Sequence, residues 1–346
     1  MIFISGIYFS PDIRYNKEQK FEREVFPMQT WAWILIGVAA FLLLSLGGMI
    51  AATLPIARKV YHSILVRTDQ DKWKRANSYP PNKEHTRMFD LGMQWAAGHI
   101  DRMRPVQIEN EGLTLVGEYF DFGAERCVII FPGRTESLCY SYYFAPPYVQ
   151  AGCNVLVIDS RAHGLSDGKY NYCGTREYSD VIAWARYANE QLHNRDVVLH
   201  GICVGGAAVV LAASKPEFPA CVSHIVVEGL FATFRESFKL HMKAEKRPVF
   251  PVLDEIFWIA RRESGLNVRE SAPIRYIDKV RVPILFLHGT KDTFSLPKRA
   301  RQLYAKCTAP KQLVWMDQGS HSHLRINNTE IYDGAILRFL SEKEVS

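Results

Sequence analysis

The 346-residue sequence predicts an α/β fold: a mostly parallel central sheet with helices on both faces, preceded by an N-terminal transmembrane helix. Three observations predict it. From about residue 127 onward, short apolar runs alternate with longer helical stretches, the pattern left by parallel strands joined through crossover helices. Hydrophobic residues make up 48% of the chain, enough to cover a sheet on both faces. From Gln29 through Ala57 no charged residue occurs, a run long enough to span a bilayer.

Residues 1–28 precede that run, and Met28 is an alternative start. Glu22-Arg23-Glu24-Val25 could be encoded by a purine-rich ribosome-binding sequence read as protein. Residues 29–57 are expected to span the membrane, with Trp31 and Trp33 at one interface and Arg58, Lys59 and Tyr61 at the other. A buried core helix would be shorter and amphipathic, and a cleaved signal peptide would not be so long and followed by basic residues. Arg58, Lys59, Arg67, Lys72, Lys74 and Arg75 follow the span, against Arg14, Lys17, Lys20 and Arg23 before it. That bias predicts a single-pass protein of the cell membrane with its C-terminal domain in the cytoplasm. Residues 58–104 form a juxtamembrane segment, broken by Tyr79-Pro80-Pro81-Asn82 and ending in a helix from Glu84 to Ile100.

A domain of residues 105–342 follows. Pro105 to Asn110 and Leu113 to Phe120 read as an antiparallel pair turning at Glu111-Gly112. Cys127–Phe131, Asn154–Ile158, Val197–His200, His224–Val227, Pro283–His288 and Gln312–Met316 read as buried strands. Arg176–Leu192, Pro297 to about Cys307, and Glu330–Leu340 are the helices between and after them. Leu230 to about Ile274 breaks the alternation and reads as a small helical lid. It mixes aromatics such as Phe234, Phe238 and Trp258 with cations such as Arg235, Lys239 and Arg262.

The chemistry concentrates at Leu199-His200-Gly201-Ile202-Cys203-Val204-Gly205-Gly206. An apolar strand runs in and a helix of small residues, Gly206 to Ala213, runs out. The turn between them is so sharp that Cys203 must take strained backbone angles, and Gly201 and Gly205 leave room for it. A thiol there is a nucleophile that ionises more readily than a hydroxyl. A lone cysteine in a glycine turn is more often a structural thiol; the strand–turn–helix setting favours the nucleophile. The same spacing recurs at Gly164-Leu165-Ser166-Asp167-Gly168 with a serine, but a polar loop separates it from its strand and no small-residue helix follows.

The partners are expected at strand ends, in the chain order nucleophile, acid, histidine. Asp292 follows the strand ending at His288-Gly289 and would orient an imidazole. His321, in Asp317-Gln318-Gly319-Ser320-His321 after the last strand, would be the base. Glu228 is the alternative acid and His323 the alternative base. His321-x-His323 lacks the carboxylate or cysteine cluster that completes a metal site, so neither metal nor cofactor is expected. The net charge of +6 lies largely just after the apolar run, which argues against a nucleic-acid partner. Seven cysteines without paired or zinc-type spacing argue for a reducing compartment.

From about Pro105 to Phe339 the chain resembles α/β-hydrolases of the serine-hydrolase type, including bacterial membrane-anchored members and the peptidase-S33-like and BEM46-like groups. The resemblance rests on Phe131-Pro132-Gly133, Asp159 through Gly168, the turn at Cys203, His288-Gly289-Thr290-Lys291-Asp292, and Gly319-Ser320-His321. It implies Cys203 as nucleophile, Asp292 as acid, His321 as base, and the backbone N–H groups of Arg134 and Val204 as oxyanion donors. It also makes Ser166 part of a structural turn. Two departures stand out. Cysteine replaces the serine, as in dienelactone hydrolases and the acyl-CoA:amino-acid acyltransferases of this fold. Pro132-Gly133 replaces the usual His-Gly and is followed by Arg134 and Glu136, which leaves the loop's supporting hydrogen bonds less assured than the donor itself. The expected activity is cleavage of a small-molecule carboxylic ester or thioester, lipid-like in character, through a thioester acyl-enzyme. Transfer of the acyl group to an amine is the alternative within the fold, and a membrane-tethered binding domain that has lost its serine is the alternative of another class.

Overall fold

A computed structural model describes residues 30–76 and 82–341; the expectations for residues 1–29, Tyr79-Pro80-Pro81 and the last residues of the chain lie outside the described residues. The chain divides into two units, residues 1–49 and 50–346. In the first, the described residues belong to helix α1 (Thr30–Leu65), whose side chains there are almost all exposed although its apolar stretch has a mean hydropathy of 2.5. At about 1.5 Å per residue, twenty residues of helix rise roughly 30 Å, the thickness of a bilayer's hydrocarbon core. Among the described residues, α1 alone is long and apolar enough to cross a membrane.

In the second unit α1 changes character. Ala57, Val60, Tyr61 and Leu65 are buried, at the spacing of one helix face turned to a protein core. Tyr61, expected at a membrane interface, is instead fully buried in the domain, because the helix continues past Ala57 to Leu65 and packs there. After α1 come α2 (Lys83–Gly98), the hairpin β1 (Met103–Asn110) and β2 (Leu113–Phe120), then β3 (Arg126–Phe131) and two short helices, α3 (Leu138–Ser141) and α4 (Pro146–Gln150). The alternating part continues through β4 (Cys153–Ile158), α5 (Glu177–Glu190), β5 (Asp196–Ile202), α6 (Val204–Ala213) and β6 (Val222–Glu228). The lid helices α7 (Phe234–Ala244) and α8 (Val252–Glu263) interrupt it before β7 (Ile284–Gly289), α9 (Pro297–Lys306), β8 (Lys311–Met316), α10 (Leu324–Asn327) and α11 (Thr329–Ser341).

The eight strands form one sheet in the order β1-β2-β4-β3-β5-β6-β7-β8. Pairing is antiparallel at β1–β2 and β2–β4 and parallel across the rest. Every residue of β4 and β7 is buried, as strands covered on both faces require. One face packs against α5, α6, the lid and the end of α1; the other packs against α2, α3, α4 and α11. Several contacts tie the lid to the rest of the domain. Thr233 caps α7 by accepting from the Glu236 N–H (3.4 Å), and the Glu236 carboxylate receives two bonds from Arg299 of α9 (2.6 and 2.7 Å). Thr53 of α1 donates to Glu255 of α8 at 2.6 Å. This is an α/β-hydrolase fold.

Candidate active site

Cys203 stands between β5 and α6 with φ 51° and ψ −105°, a left-handed region that a non-glycine residue occupies only under constraint. The constraint is close packing. A Cβ on Gly201 would lie 2.5 Å from Gly206 Cα, and one on Gly205 would collide with the carbonyl oxygens of Phe131 and Pro132. The Cys203 N–H donates to the Glu228 carbonyl (2.9 Å), tying the turn to β6, and the side chain stays partly exposed.

Asp292 and His321 meet across the loops that follow β7 and β8. His321 Nδ1 donates to Asp292 Oδ2 at 2.7 Å, while Asp292 Oδ1 accepts from the backbone of Phe294 (2.8 Å) and Ser295 (2.7 Å). Burial works against the charge of Asp292, but the adjacent His321 ring and these donors hold its carboxyl below the usual carboxylate range. Burial likewise disfavours a charged His321; the Asp292 carboxylate and then Cys203 outweigh it and hold the ring's pKa well above its ordinary value. The other nitrogen, Nε2, is buried and makes no well-formed hydrogen bond. Gly229, at φ 57°, lies against this pair: a Cβ there would sit 3.2 Å from the His321 ring. Cys203, Asp292 and His321 thus share one site.

The alternatives are engaged with other partners. Glu228 accepts from Tyr332 Oη at 2.6 Å, and Asp292 takes the His321 bond. His323 turns toward α2, with Nε2 3.4 Å from His85 Nδ1 and Nδ1 3.0 Å from Ser320 Oγ. Ser166 is buried, donating to the Asp159 carbonyl (2.7 Å) and accepting from the Val116 N–H (2.8 Å), so its hydroxyl is committed to the turn. Among the described residues no group of three or more His, Cys, Asp or Glu side chains is arranged to hold a metal ion.

Val204 opens α6, where the first N–H groups have no intrahelical acceptor. Arg134 lies in the loop after β3, which runs beside the turn because Phe131 pairs with Gly201. That loop has supports the sequence left open. Glu136 is buried and accepts from the Gly133 N–H (2.9 Å), Thr135 donates to His163 Nε2 (3.2 Å), and Leu138 donates to Asp159 Oδ1 (2.8 Å). The unusual Glu136 is itself a brace. Two further rings wall the site and were not singled out from sequence. His241 of α7 stacks on Phe294 at 3.7 Å, and both stand edge-on to His321 at 6.4 and 5.8 Å. The helical spacing of Phe234, Phe238 and His241 was the available signal, since it puts the histidine on or beside the buried face.

The sequence profile of the alpha/beta hydrolase fold matches residues 126–249. The chain is 26% identical over 305 residues to the Bacillus subtilis protein YqkD, covering 86% of this chain and 96% of that one. It is 27% identical over 267 residues to the Saccharomyces cerevisiae membrane protein YNL320W, covering 72% and 87%. To alpha/beta hydrolase domain-containing protein 17C of Xenopus laevis it is 23% identical over 249 residues, covering 66% and 71%. Among solved structures, the Pyrococcus furiosus esterase Pf2001 superposes with a TM-score of 0.59 at 19% identity, over 77% of this chain and 95% of that one. At that identity the structural likeness concerns the fold.

Proposed function

We propose that this protein of α/β-hydrolase fold is a membrane-anchored hydrolase of carboxylic esters or thioesters, with Cys203 as nucleophile, His321 as base and Asp292 as its orienting acid. One observation carries the reading: a histidine bonded to a buried aspartate at 2.7 Å shares a site with a cysteine held at positive φ on a strand-to-helix turn. A structural thiol needs neither the strain nor the pair.

In this mechanism His321 Nε2 takes the Cys203 thiol proton and Sγ attacks the substrate carbonyl carbon. The N–H groups of Val204 and Arg134 stabilise the resulting oxyanion. Collapse breaks the bond to the leaving alcohol or thiol, which takes the proton from His321, and the acyl group remains as a thioester on Cys203. Water then gives a proton to His321 and attacks the thioester; the acid leaves and Sγ recovers its proton. Asp292 keeps the ring in the tautomer that presents Nε2 and stabilises its cation. The raised His321 pKa favours the imidazolium that forms when the ring takes up a proton. The aromatic lid and the apolar helix favour a lipid-like acyl group, and the esterase named among the solved structures agrees with the reaction class. The same reading makes α1 a single membrane pass, in line with the membrane relative in yeast, with the catalytic unit on the cytoplasmic side where the excess of following cations points.

The test is mass spectrometry of the purified protein after exposure to a panel of acyl esters and thioesters. An acyl increment on the Cys203 peptide is expected, with both increment and turnover lost in Cys203→Ala. Turnover retained by Cys203→Ala, or an increment on Ser166, would overturn the assignment. Faster discharge to an added amine than to water would move the reaction to acyl transfer.

A further inference from the structure

After α1, residues 66–75 are tied into the domain by a series of contacts. Val66 forms an isolated antiparallel bridge with Tyr170, and Arg67 donates to the carbonyls of Gly164 (2.7 Å) and Ser166 (2.9 Å). Lys72 turns back onto the end of α1, donating to the carbonyls of His62 (2.6 Å) and Val66. Trp73, at φ 57°, is buried and stacks on His163 with ring centroids 4.5 Å apart and planes 12° from parallel. Its carbonyl accepts from the Gly164 N–H at 2.8 Å.

His163 is one bond from the loop that carries Arg134. A carbonyl only accepts, so the 2.9 Å contact of His163 Nδ1 with the Arg161 carbonyl puts the proton on Nδ1. Nε2 is then the bare nitrogen, and it accepts the Thr135 N–H at 3.2 Å. Burial lowers the ring's pKa to about 4, so this tautomer persists through neutral pH. Thr135 itself sits at φ 84°, a conformation that lasts only where its surroundings over-determine it. Arg75 acts on the far end of the same loop. Its Nε donates to Asp159 Oδ2 (2.8 Å) and its guanidinium also reaches Glu118 (2.7 Å), while Asp159 Oδ1 accepts from the Leu138 N–H.

We propose that residues 66–76 form a strap that sets the oxyanion loop, with Trp73 and Arg75 as positioning residues: Trp73 fixes the ring that holds the Thr135 amide, and Arg75 fixes the carboxylate that holds Leu138. The proposal rests on the hydrolase reading for its catalytic consequence. An oxyanion donor stabilises a transition state only if it is already aimed, so a loop released at either end loses catalysis without losing substrate binding. Because Lys72 also closes the last turn of α1, the C-terminal end of that helix and the loop after β3 are joined through this strap.

The test compares full-length wild type, Trp73→Ala and Trp73→Phe in detergent micelles by three readouts. These are turnover of p-nitrophenyl butyrate, alkylation of Cys203 by iodoacetamide, and amide hydrogen exchange of the peptide covering residues 132–138. Trp73→Ala should lower kcat about tenfold to a hundredfold with KM within about twofold. Alkylation develops no oxyanion, so its rate should not change, while exchange across the loop should quicken. Trp73→Phe keeps a stacking ring and should restore both. Unchanged exchange in Trp73→Ala, an alkylation rate that falls in step with kcat, or failure of Trp73→Phe to restore would overturn the strap. Absence of turnover and of Cys203 acylation in the wild type would overturn the hydrolase reading instead, and the exchange rates would still decide whether the strap holds the loop.

Discussion

Glu228 ends β6 fully buried, with one carboxyl oxygen accepting from Tyr332 and the other making no well-formed hydrogen bond. Burial pushes its pKa up to about 7. It is therefore a titrating group within the wall of the site, and its own backbone carbonyl holds the Cys203 N–H. The sign of its pH effect follows from the raised value. The unfolded chain releases this proton near pH 4.3, roughly, so the stability contributed by the protonated form is complete below that and is lost as pH rises through about 7. Glu228→Gln keeps an acceptor for Tyr332 and does not titrate. Its Tm relative to wild type should rise by several degrees between about pH 5 and about pH 8. Thermal unfolding across that range checks it, and a difference that stays flat with pH would mean that Glu228 does not ionise there.

At the scale of elements, the central strands β3 to β7 were legible because each is buried on both faces and so reads as a nearly unbroken apolar run, as in Asn154–Ile158 within β4. The turn at Cys203 was legible because its constraint is local: a strand, small residues at Gly201 and Gly205, and a helix. Asp292 and His321 could be sought from chain order once that turn was placed. Gly229 could not, since the need for a missing Cβ there exists only when His321 is already seated, and the helical spacing that puts His241 on or beside the buried face of α7 did not say that it would meet His321. The end of the lipid-type helix was hidden for a different reason. An apolar face looks the same in sequence whether lipid or protein covers it, so the run to Ala57 gave no sign that Thr53 and Ala57 already belong to the domain. Truncation should separate the two cases. Deleting residues 1–49 should leave a soluble domain with wild-type Tm, whereas deleting residues 1–57 cuts α1 inside the core and removes the Thr53–Glu255 bond. A hydrogen bond to a charged group is worth about 1.5–3 kcal/mol, so the shorter form should melt several degrees lower. Equal melting of the two forms would show that residues 50–57 contribute nothing to the fold.

The molecule as a whole carries seven cysteines in strongly unequal surroundings. Cys127, Cys139, Cys153, Cys173 and Cys307 are buried, and only Cys203 and Cys221 are partly open. Burial pushes Cys139 up to about 11 and Cys153 up to about 12, raises Cys127 and Cys173 well above the ordinary thiol value, and lifts Cys221 and Cys307 as well. Thiolates, not thiols, are alkylated. Native protein at neutral pH should therefore take up a single equivalent of iodoacetamide quickly, at Cys203, and seven after denaturation. Cys203→Ala should take up none on that timescale, and rapid labelling of Cys221 would contradict the expectation. The unevenness of the thiols then has a practical side. On the proposed reading, a strained cysteine beside His321 in an otherwise silent background makes label stoichiometry a direct census of competent sites, so the active fraction of an unpurified preparation could be counted before any natural substrate is known.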